Sequence, residues 1–305
     1  MRGVRRTERG VEVVDVPAPS GGVRVTVTSA GICGSDFHMI AAGPLPHTLG
    51  HEFGGVLDDG TPVAVRPNVT CGTCPACTSG RAHLCAAALG RFHGVSIDGG
   101  LADEVGVDPA CLVPLPSDLD PADAALAEPV AVAVHGIRRF GVTAGKRALV
   151  IGAGPIGLCA VAAALAAGAD VDVVAHRDVR QEAAARLGTG PASDRTYDVV
   201  VDAAGTTGSA ALAVERVEPG GTVGMLGTWW DPVALDGRWQ LKEVTLVPGF
   251  LYDQVEFTAA VRLLASVPAL RDVVVTHRFA LDDAAEAFRT AADRSSGAIK
   301  VLLHP

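Results

Sequence analysis

The chain has 305 residues, about twice the usual size of one domain, so two domains with a sizeable core are expected and a small stapled module is excluded. Apolar residues make up 49% and charged residues 19%, a balance that excludes a disordered chain. With 25 Lys and Arg against 34 Asp and Glu the formal charge is −9, and no block of basic residues could follow a phosphate backbone; no nucleic-acid partner is expected.

The stretch Met1 to Glu8 is charged and is not followed by the apolar run a secretory signal needs, which points to the cytoplasm. Seven cysteines then meet reducing conditions, where clustered thiols bind metal rather than form disulfides. From Gly10 to about Pro116, short β-branched runs such as Val11 to Val14 and Val23 to Val27 are broken by Gly and Pro, which predicts a β-rich domain. The texture turns to Ala-rich helix at Pro121. From Arg147, strands at Ala148–Ile151, Val171–Ala175, Tyr197–Val201 and Gly221–Leu226 alternate with helices, which predicts a parallel, helix-covered sheet and an α/β class. The uncharged run from Ala148 to Ala169 is long enough for a membrane span, but its Ala, Gly and internal proline read better as strand, turn and buried helix; no membrane partner is expected. In the tail, Asp282–Ala292 is amphipathic and Ile299–Leu303 extended.

The sharpest motif is Cys71-x2-Cys74-x2-Cys77-x7-Cys85, four of the seven cysteines within fifteen residues. That spacing can bring four thiolates onto one tetrahedral zinc, closed to substrate, whose task is to fix a loop without a core of its own. A second constellation is dispersed: Gly31-Ile32-Cys33-Gly34-Ser35-Asp36-Phe37-His38, then Gly50-His51-Glu52, then Glu128-Pro129. Each is weak alone, since a lone Cys or His is commonly a core residue and Glu-Pro can simply start a helix. Together they offer a thiolate, an imidazole and carboxylates, a mixed set that can leave a position open, as catalytic zinc needs. Phe37, Phe53, Phe92 and Trp229 are either apolar walls of a substrate pocket or core.

The third motif, Gly152-Ala153-Gly154-Pro155-Ile156-Gly157, ends a predicted strand and opens a predicted helix. In that context the glycines allow a tight turn and let a pyrophosphate reach the helix N-terminus. An NAD-preferring site carries an acid about twenty residues beyond the turn, on the ribose 2′-hydroxyl. Counting without gaps places that position at Ala175 or His176, followed by Arg177 and, one turn on, Arg180, which suit a 2′-phosphate. NADP is therefore expected over NAD. Asp172 or Asp178 could serve the ribose only after a shift in register.

These motifs, with a tail containing His277-Arg278-Phe279 and Ala284-Ala285-Glu286-Ala287-Phe288, resemble over nearly the whole chain the zinc-containing medium-chain alcohol dehydrogenases, in their polyol (sorbitol or butanediol) and threonine dehydrogenase branch. The resemblance implies a GroES-like catalytic domain, residues 1–120 and 268–305, with a Rossmann domain, residues 121–267, inserted before its last segment. The cleft between them would hold the chemistry. It implies two zinc ions per chain, with Cys33, His51 and Glu128 on the catalytic one, Glu128 replacing a cysteine of the liver-type members, and Glu52 a ligand or an exchanging neighbour. Asp36 would orient His51, Ser35 would take the substrate proton, and His38 would form the solvent end of the relay.

The implied reaction is reversible oxidation of a secondary alcohol, polyol-like or amino-alcohol-like, to a ketone, with hydride passing to NAD(P). The partner is then a small-molecule alcohol or ketone, and a homodimer or homotetramer is expected. A non-catalytic member of the same fold would not need Cys33, Ser35, His51 and Glu128, nor would a metal-independent relative need either ligand set. One departure stands out: after Leu57 the chain passes through Asp58-Asp59-Gly60 to Thr61, where family members carry a longer loop, a difference that bears on barrel geometry and not on a ligand.

Overall fold

A computed structural model describes residues 1–305, which divide into two compact units, one of residues 1–128, 253–266 and 275–305 and the other of residues 129–252 and 267–274.

The first unit opens with an antiparallel pair, β1 (Arg2–Thr7) and β2 (Gly10–Asp15). β3 (Val23–Gly31) is the spine of the main sheet: Val25 and Val27 point inward while Arg24 and Thr26 face solvent, the two-residue alternation of a half-buried strand. Its last three residues, Ser29 to Gly31, are buried throughout. Helix α1 (Gly34–Ala41) follows at once, then β4 (Glu52–Leu57), β5 (Pro62–Val65), the one-turn α2 (Pro75–Thr78), β6 (Glu104–Val107) and β7 (Leu112–Pro114). The shortened loop does not disturb the barrel pairing. Leu57 N–H donates to Thr61 O and Gly60 N–H to Leu57 O, both at 2.9 Å, and β4 and β5 stay in register from Phe53↔Val65 to Val56↔Pro62.

Helix α3 (Ala127–Arg139) leads into the second unit, a six-stranded parallel sheet of β8 (Arg147–Ile151), β9 (Asp170–Val174), β10 (Gly190–Pro191), β11 (Tyr197–Asp202), β12 (Val217–Met225) and β13 (Thr245–Pro248). The strand order β10-β9-β8-β11-β12-β13 reverses at β8, the switch point at which α/β sheets bind ligands outside the carboxyl ends of their strands. α4 (Pro155–Ala166), α5 (Asp178–Ala185) and α6 (Thr207–Arg216) follow β8, β9 and β11, and α7 (Gly237–Leu241) precedes β13. α4 is buried from Gly157 to Ala164, which explains its lack of a polar face. No helix is long and apolar enough to cross a membrane.

The chain returns to the first unit with α8 (Gln254–Ser266), adds α9 (Pro268–Val274) to the second, and ends in the first with β14 (Val275–Ala280), α10 (Ala284–Ala292) and β15 (Lys300–His304). β15 pairs with both β14 and β3, closing the order β14-β15-β3-β4-β5-β7. The core between sheet and α10 joins Val25, Val27, Phe53, Leu101, Phe288 and Leu303.

The unit boundaries differ from those expected at 121 and 267. Residues 121–126 are anchored on β3, where Thr28 Oγ1 and Ser29 Oγ donate to Pro121 O at 2.9 and 3.0 Å and Ala125 N–H donates to Ser29 Oγ. α8 belongs with the β-rich unit, where the buried Arg66 Nε donates to Gln254 Oε1 at 2.6 Å. α9 packs on α4 and α5. Ala-rich composition marks a helix but not the sheet on which it lies.

Candidate active site

In the first unit the four cysteines of the Cys71–Cys85 loop converge. Sγ–Sγ separations are 3.6 Å for Cys74–Cys77 and for Cys71–Cys85, and 3.9 Å for Cys71–Cys77. Disulfides would need about 2 Å, whereas sulfurs around one zinc with ~2.3 Å bonds stand ~3.8 Å apart. Backbone N–H groups also favour thiolates: Cys74 N–H donates to Cys71 Sγ and Cys71 N–H to Cys85 Sγ, each at 3.4 Å. Hydrogen bonds from the Thr73 and Cys74 backbone lower the Cys71 pKa to about 6, while desolvation and the Cys74 thiol push Cys77 up to about 12. Charge shared so unevenly among four adjacent sulfurs suits a divalent ion that stabilises all four as thiolates.

The dispersed constellation also comes together. Cys33 caps α1, its N–H donating to Asp36 Oδ2 at 2.8 Å. Asp36 is fully buried, and its Oδ1 lies 3.3 Å from His51 Nδ1. The other ring nitrogen, Nε2, faces Ser35 Oγ at 3.3 Å. One ring nitrogen of His51 thus faces the buried Asp36 carboxylate and the other the Ser35 hydroxyl. Cys33 Sγ, a His51 ring nitrogen and a Glu52 carboxylate oxygen lie within 4.8 Å of one another. Burial works against charge on His51, yet Asp36 and Cys33 outweigh it and hold its pKa well above the ordinary value. This potential favours a cation, and the donor set of one soft sulfur, one imidazole and carboxylate fits zinc.

Glu128, buried in the first turn of α3, stands outside this group of three but contributes to the negative field there. His38 is exposed on α1, three residues beyond the exposed Ser35 and so on the same face. Of the aromatic candidates, Phe53 is core and Phe37 packs edge-on against Phe288 at 5.8 Å, while Phe92 meets the His51 ring edge-on at 6.2 Å. Trp229 lies in the second unit, its Nε1–H bonded to the buried Asp202 at 2.7 Å.

Sequence reasoning missed Lys300. It is 2% exposed, and its ammonium donates to both Glu52 oxygens at 2.7 Å and to Ile32 O at 3.0 Å. Burial alone would lower its pKa, but Glu52 and Cys33 raise it. A single lysine in the apolar run Ile299 to Leu303 was the available signal.

In the second unit the glycine motif turns from β8 into α4. Gly152 has φ +98°, and a Cβ on Gly157 would stand 1.8 Å from Gly152 O, so the strand–helix contact tolerates no side chain. Gly154 caps α4 with no side-chain partner for the first-turn N–H groups, Pro155 takes the position that needs none, and Ile156 is half-buried. Arg180 Nη1 comes within 3.7 Å of where a Gly154 Cβ would sit. Arg177 is the N-cap of α5, preceded by the exposed His176.

A β-rich unit with a mixed-ligand centre and a closed four-thiolate lobe, together with a doubly wound dinucleotide fold, defines a metal-dependent dehydrogenase. Comparison with known proteins agrees. Residues 19–117 match the family description "Alcohol dehydrogenase GroES-like domain" and residues 155–266 match "Zinc-binding dehydrogenase". The chain is 33% identical to L-arabinitol 4-dehydrogenase of Aureobasidium melanogenum, covering 93% of this chain and 87% of that protein. It is 32% identical to L-galactonate-5-dehydrogenase of Escherichia coli, covering 90% and 89%. A solved structure from Sinorhizobium meliloti, described as a zinc-binding dehydrogenase bound to NADP, superimposes with TM-score 0.90 at 28% identity over 100% of this chain and 99% of that one. The chain belongs to the zinc-containing medium-chain alcohol dehydrogenase family. It is a zinc-dependent oxidoreductase that interconverts alcohols and ketones with a nicotinamide cofactor.

Proposed function

We propose that the protein oxidises a secondary hydroxyl of a polyol-like substrate reversibly to the ketone, with NADP preferred over NAD and two zinc ions per chain. The observation that carries the reading is the convergence of Cys33, His51 and Glu52 on one point beside Ser35. Cys33, His51, Glu52 and Glu128 would hold the catalytic ion, Glu52 as a ligand or in exchange with water, and Cys71, Cys74, Cys77 and Cys85 the structural one. Bound zinc lowers the pKa of the substrate hydroxyl, and the nicotinamide accepts hydride. Ser35 Oγ takes the hydroxyl proton and passes it toward solvent, with His38 as the outer member of the path. Asp36 keeps His51 in the tautomer that leaves Nε2 available.

The polyol assignment is supported by relatives named for L-arabinitol and L-galactonate. NADP preference is supported by Arg180 beside the glycine turn, with Arg177 at the N-cap of α5, and by the commitment of Asp172 elsewhere, to Tyr197 and Arg195. We extend the reading to a cytoplasmic homodimer or homotetramer, supported by the open edge at β13 with Leu241 and Phe250 exposed beside it. Initial rates with NADP across a panel of pentitols, hexitols, aldonic acids and amino alcohols test it. Turnover is expected on polyols or aldonic acids, and activity confined to primary alcohols would refute the substrate class.

A further inference from the structure

We infer that Trp229 forms part of the surface on which the nicotinamide dinucleotide lies, and that Asp202 is the positioning residue that fixes its indole before the cofactor arrives. The inference rests on the reading of the Gly152–Gly157 turn as the dinucleotide site.

Asp202 ends β11 and is fully buried. A carboxylate taken out of water is tolerable only where hydrogen bonds replace the water it lost. Its Oδ1 accepts from the Ala204 and Gly205 N–H groups, both at 3.0 Å, and its Oδ2 from Ser209 Oγ at 2.9 Å and Trp229 Nε1 at 2.7 Å. The first three donors lie within seven residues of Asp202 in the chain. Trp229 alone comes from another segment, the loop after β12. A donor on a buried carboxylate makes one of the stronger neutral-to-charged bonds, and turning the indole away would leave a buried acceptor unpaired. The ring is therefore held in one orientation.

The place of this clamp in the fold ties it to the cofactor. Backbone bonds join the carboxyl ends of β8, β11 and β12: Ala203 N–H donates to Ile151 O at 3.0 Å, and Leu226 and Gly227 N–H donate to Asp202 O at 2.9 and 2.8 Å. A Cβ on Gly152, the first glycine of the turn, would stand 3.0 Å from Ala204 Cβ, and one on Gly205 would stand 2.6 Å from Thr228 O. The glycine turn, residues 203–205 and residues 226–229 thus lie against one another at the carboxyl edge of the sheet, where the strand order reverses and such sheets take a dinucleotide. Trp229 is half-buried on the core cluster that includes Leu149, Ile151 and Val200, while Thr228 and Trp230 on either side are exposed. Part of the ring is thereby committed to the core, and the rest offers the cofactor a rigid apolar face. Fixing that face beforehand spares binding the cost of ordering it.

The test uses the zinc-loaded protein. Kd for NADPH and for NADH is measured by titration calorimetry for wild type, Trp229→Phe, Trp229→Ala, Asp202→Asn, the Asp202→Asn/Trp229→Phe double variant and Trp239→Phe, with melting temperature and quenching of tryptophan emission recorded for each. Trp229→Phe keeps an aromatic ring and loses the bond, so Kd should rise about two- to tenfold with both cofactors, because one more side chain must be ordered on binding. Trp229→Ala should raise it further. Asp202→Asn keeps an acceptor for the loop N–H groups and should match Trp229→Phe, and the double variant should add nothing to either, because Asp202 acts through the indole. Trp239, buried in the same core cluster from α7, is the control: Trp239→Phe should lower the melting temperature and leave Kd at the wild-type value. Quenching of emission by bound NADPH should be smaller in Trp229→Phe than in Trp239→Phe. Unchanged Kd in both Trp229 variants, or an equal rise in Trp239→Phe, would overturn the inference, and these variants decide it even if Asp202→Asn does not fold. Additive effects in the double variant would overturn the role of Asp202. Wild-type protein that binds neither cofactor would instead overturn the reading of the glycine turn.

Discussion

Tyr197 donates its hydroxyl hydrogen to Asp172 Oδ2 at 2.7 Å inside the α/β unit, and Arg195 Nε donates to the same oxygen at 3.0 Å. Asp172 is the acid of β9 that a register shift could have brought to a ribose, and it is already committed. The guanidinium of Arg180 meanwhile stands against the glycine turn. Arg180→Ala is expected to lower kcat/KM for NADP by about 10- to 100-fold, equivalent to about 1.4–2.8 kcal/mol of charge-assisted hydrogen bonding, with little change for NAD. Tyr197→Phe should cost stability but not selectivity. Parallel kcat/KM measurements with both cofactors check this, and an equal loss with each in Arg180→Ala would oppose it.

The two metal sites should separate under chelation. On the proposed assignment a four-thiolate zinc is closed and the mixed centre keeps an open position, so mild chelation should abolish turnover before thermal unfolding shifts. Cys74→Ser should reduce soluble, folded protein. Cys33→Ser should fold, carry one zinc and be inactive. Metal analysis together with circular dichroism distinguishes these outcomes.

Much of this site was legible because its chemistry is local in sequence. The Cys71–Cys85 spacing, the Gly152–Gly157 turn and the cap that joins Cys33 to Asp36 each lie within a few residues, so residue type and interval carry the geometry. Lys300 was not legible, because its meeting with Glu52 depends on β15 crossing to pair with β3, a contact set by tertiary topology. The same holds for residues 121–126 and α8, whose composition announces helix while side-chain bonds from Ser29 and Arg66 decide where they pack. Phe53 and Phe37 flank ligand motifs yet pack with the core, Phe53 on a strand whose first four residues are all buried and Phe37 against Phe288.

The proton path predicts an asymmetry. Ser35→Ala should remove most turnover, since its hydroxyl is the immediate acceptor, whereas His38→Gln should be milder and be rescued by imidazole buffer because His38 is exposed. Solvent isotope effects and buffer titrations read this out, and unchanged kcat in Ser35→Ala would remove the path.

Proton and metal compete at His51. Its folded-state pKa is raised, so without zinc its stabilising contribution is complete below about pH 6.5 and is lost as pH rises through the elevated folded value. Zinc must displace that proton, so zinc affinity at this site should increase with pH, by up to about tenfold per unit for each proton released. Melting curves with and without zinc between pH 6 and 9 should therefore diverge as pH rises, and the divergence should shrink in His51→Asn.

Hydride transfer at the Cys33–His51 centre is tested most directly with an isotope. Zinc-loaded protein is incubated with NADP and a polyol substrate deuterated at the reacting carbinol carbon, and the reduced nicotinamide is examined by mass spectrometry. One deuterium per NADPH formed is predicted for the wild type, with none above background in Cys33→Ser. Unlabelled NADPH, or deuterium transfer by Cys33→Ser at the wild-type rate, would contradict the account.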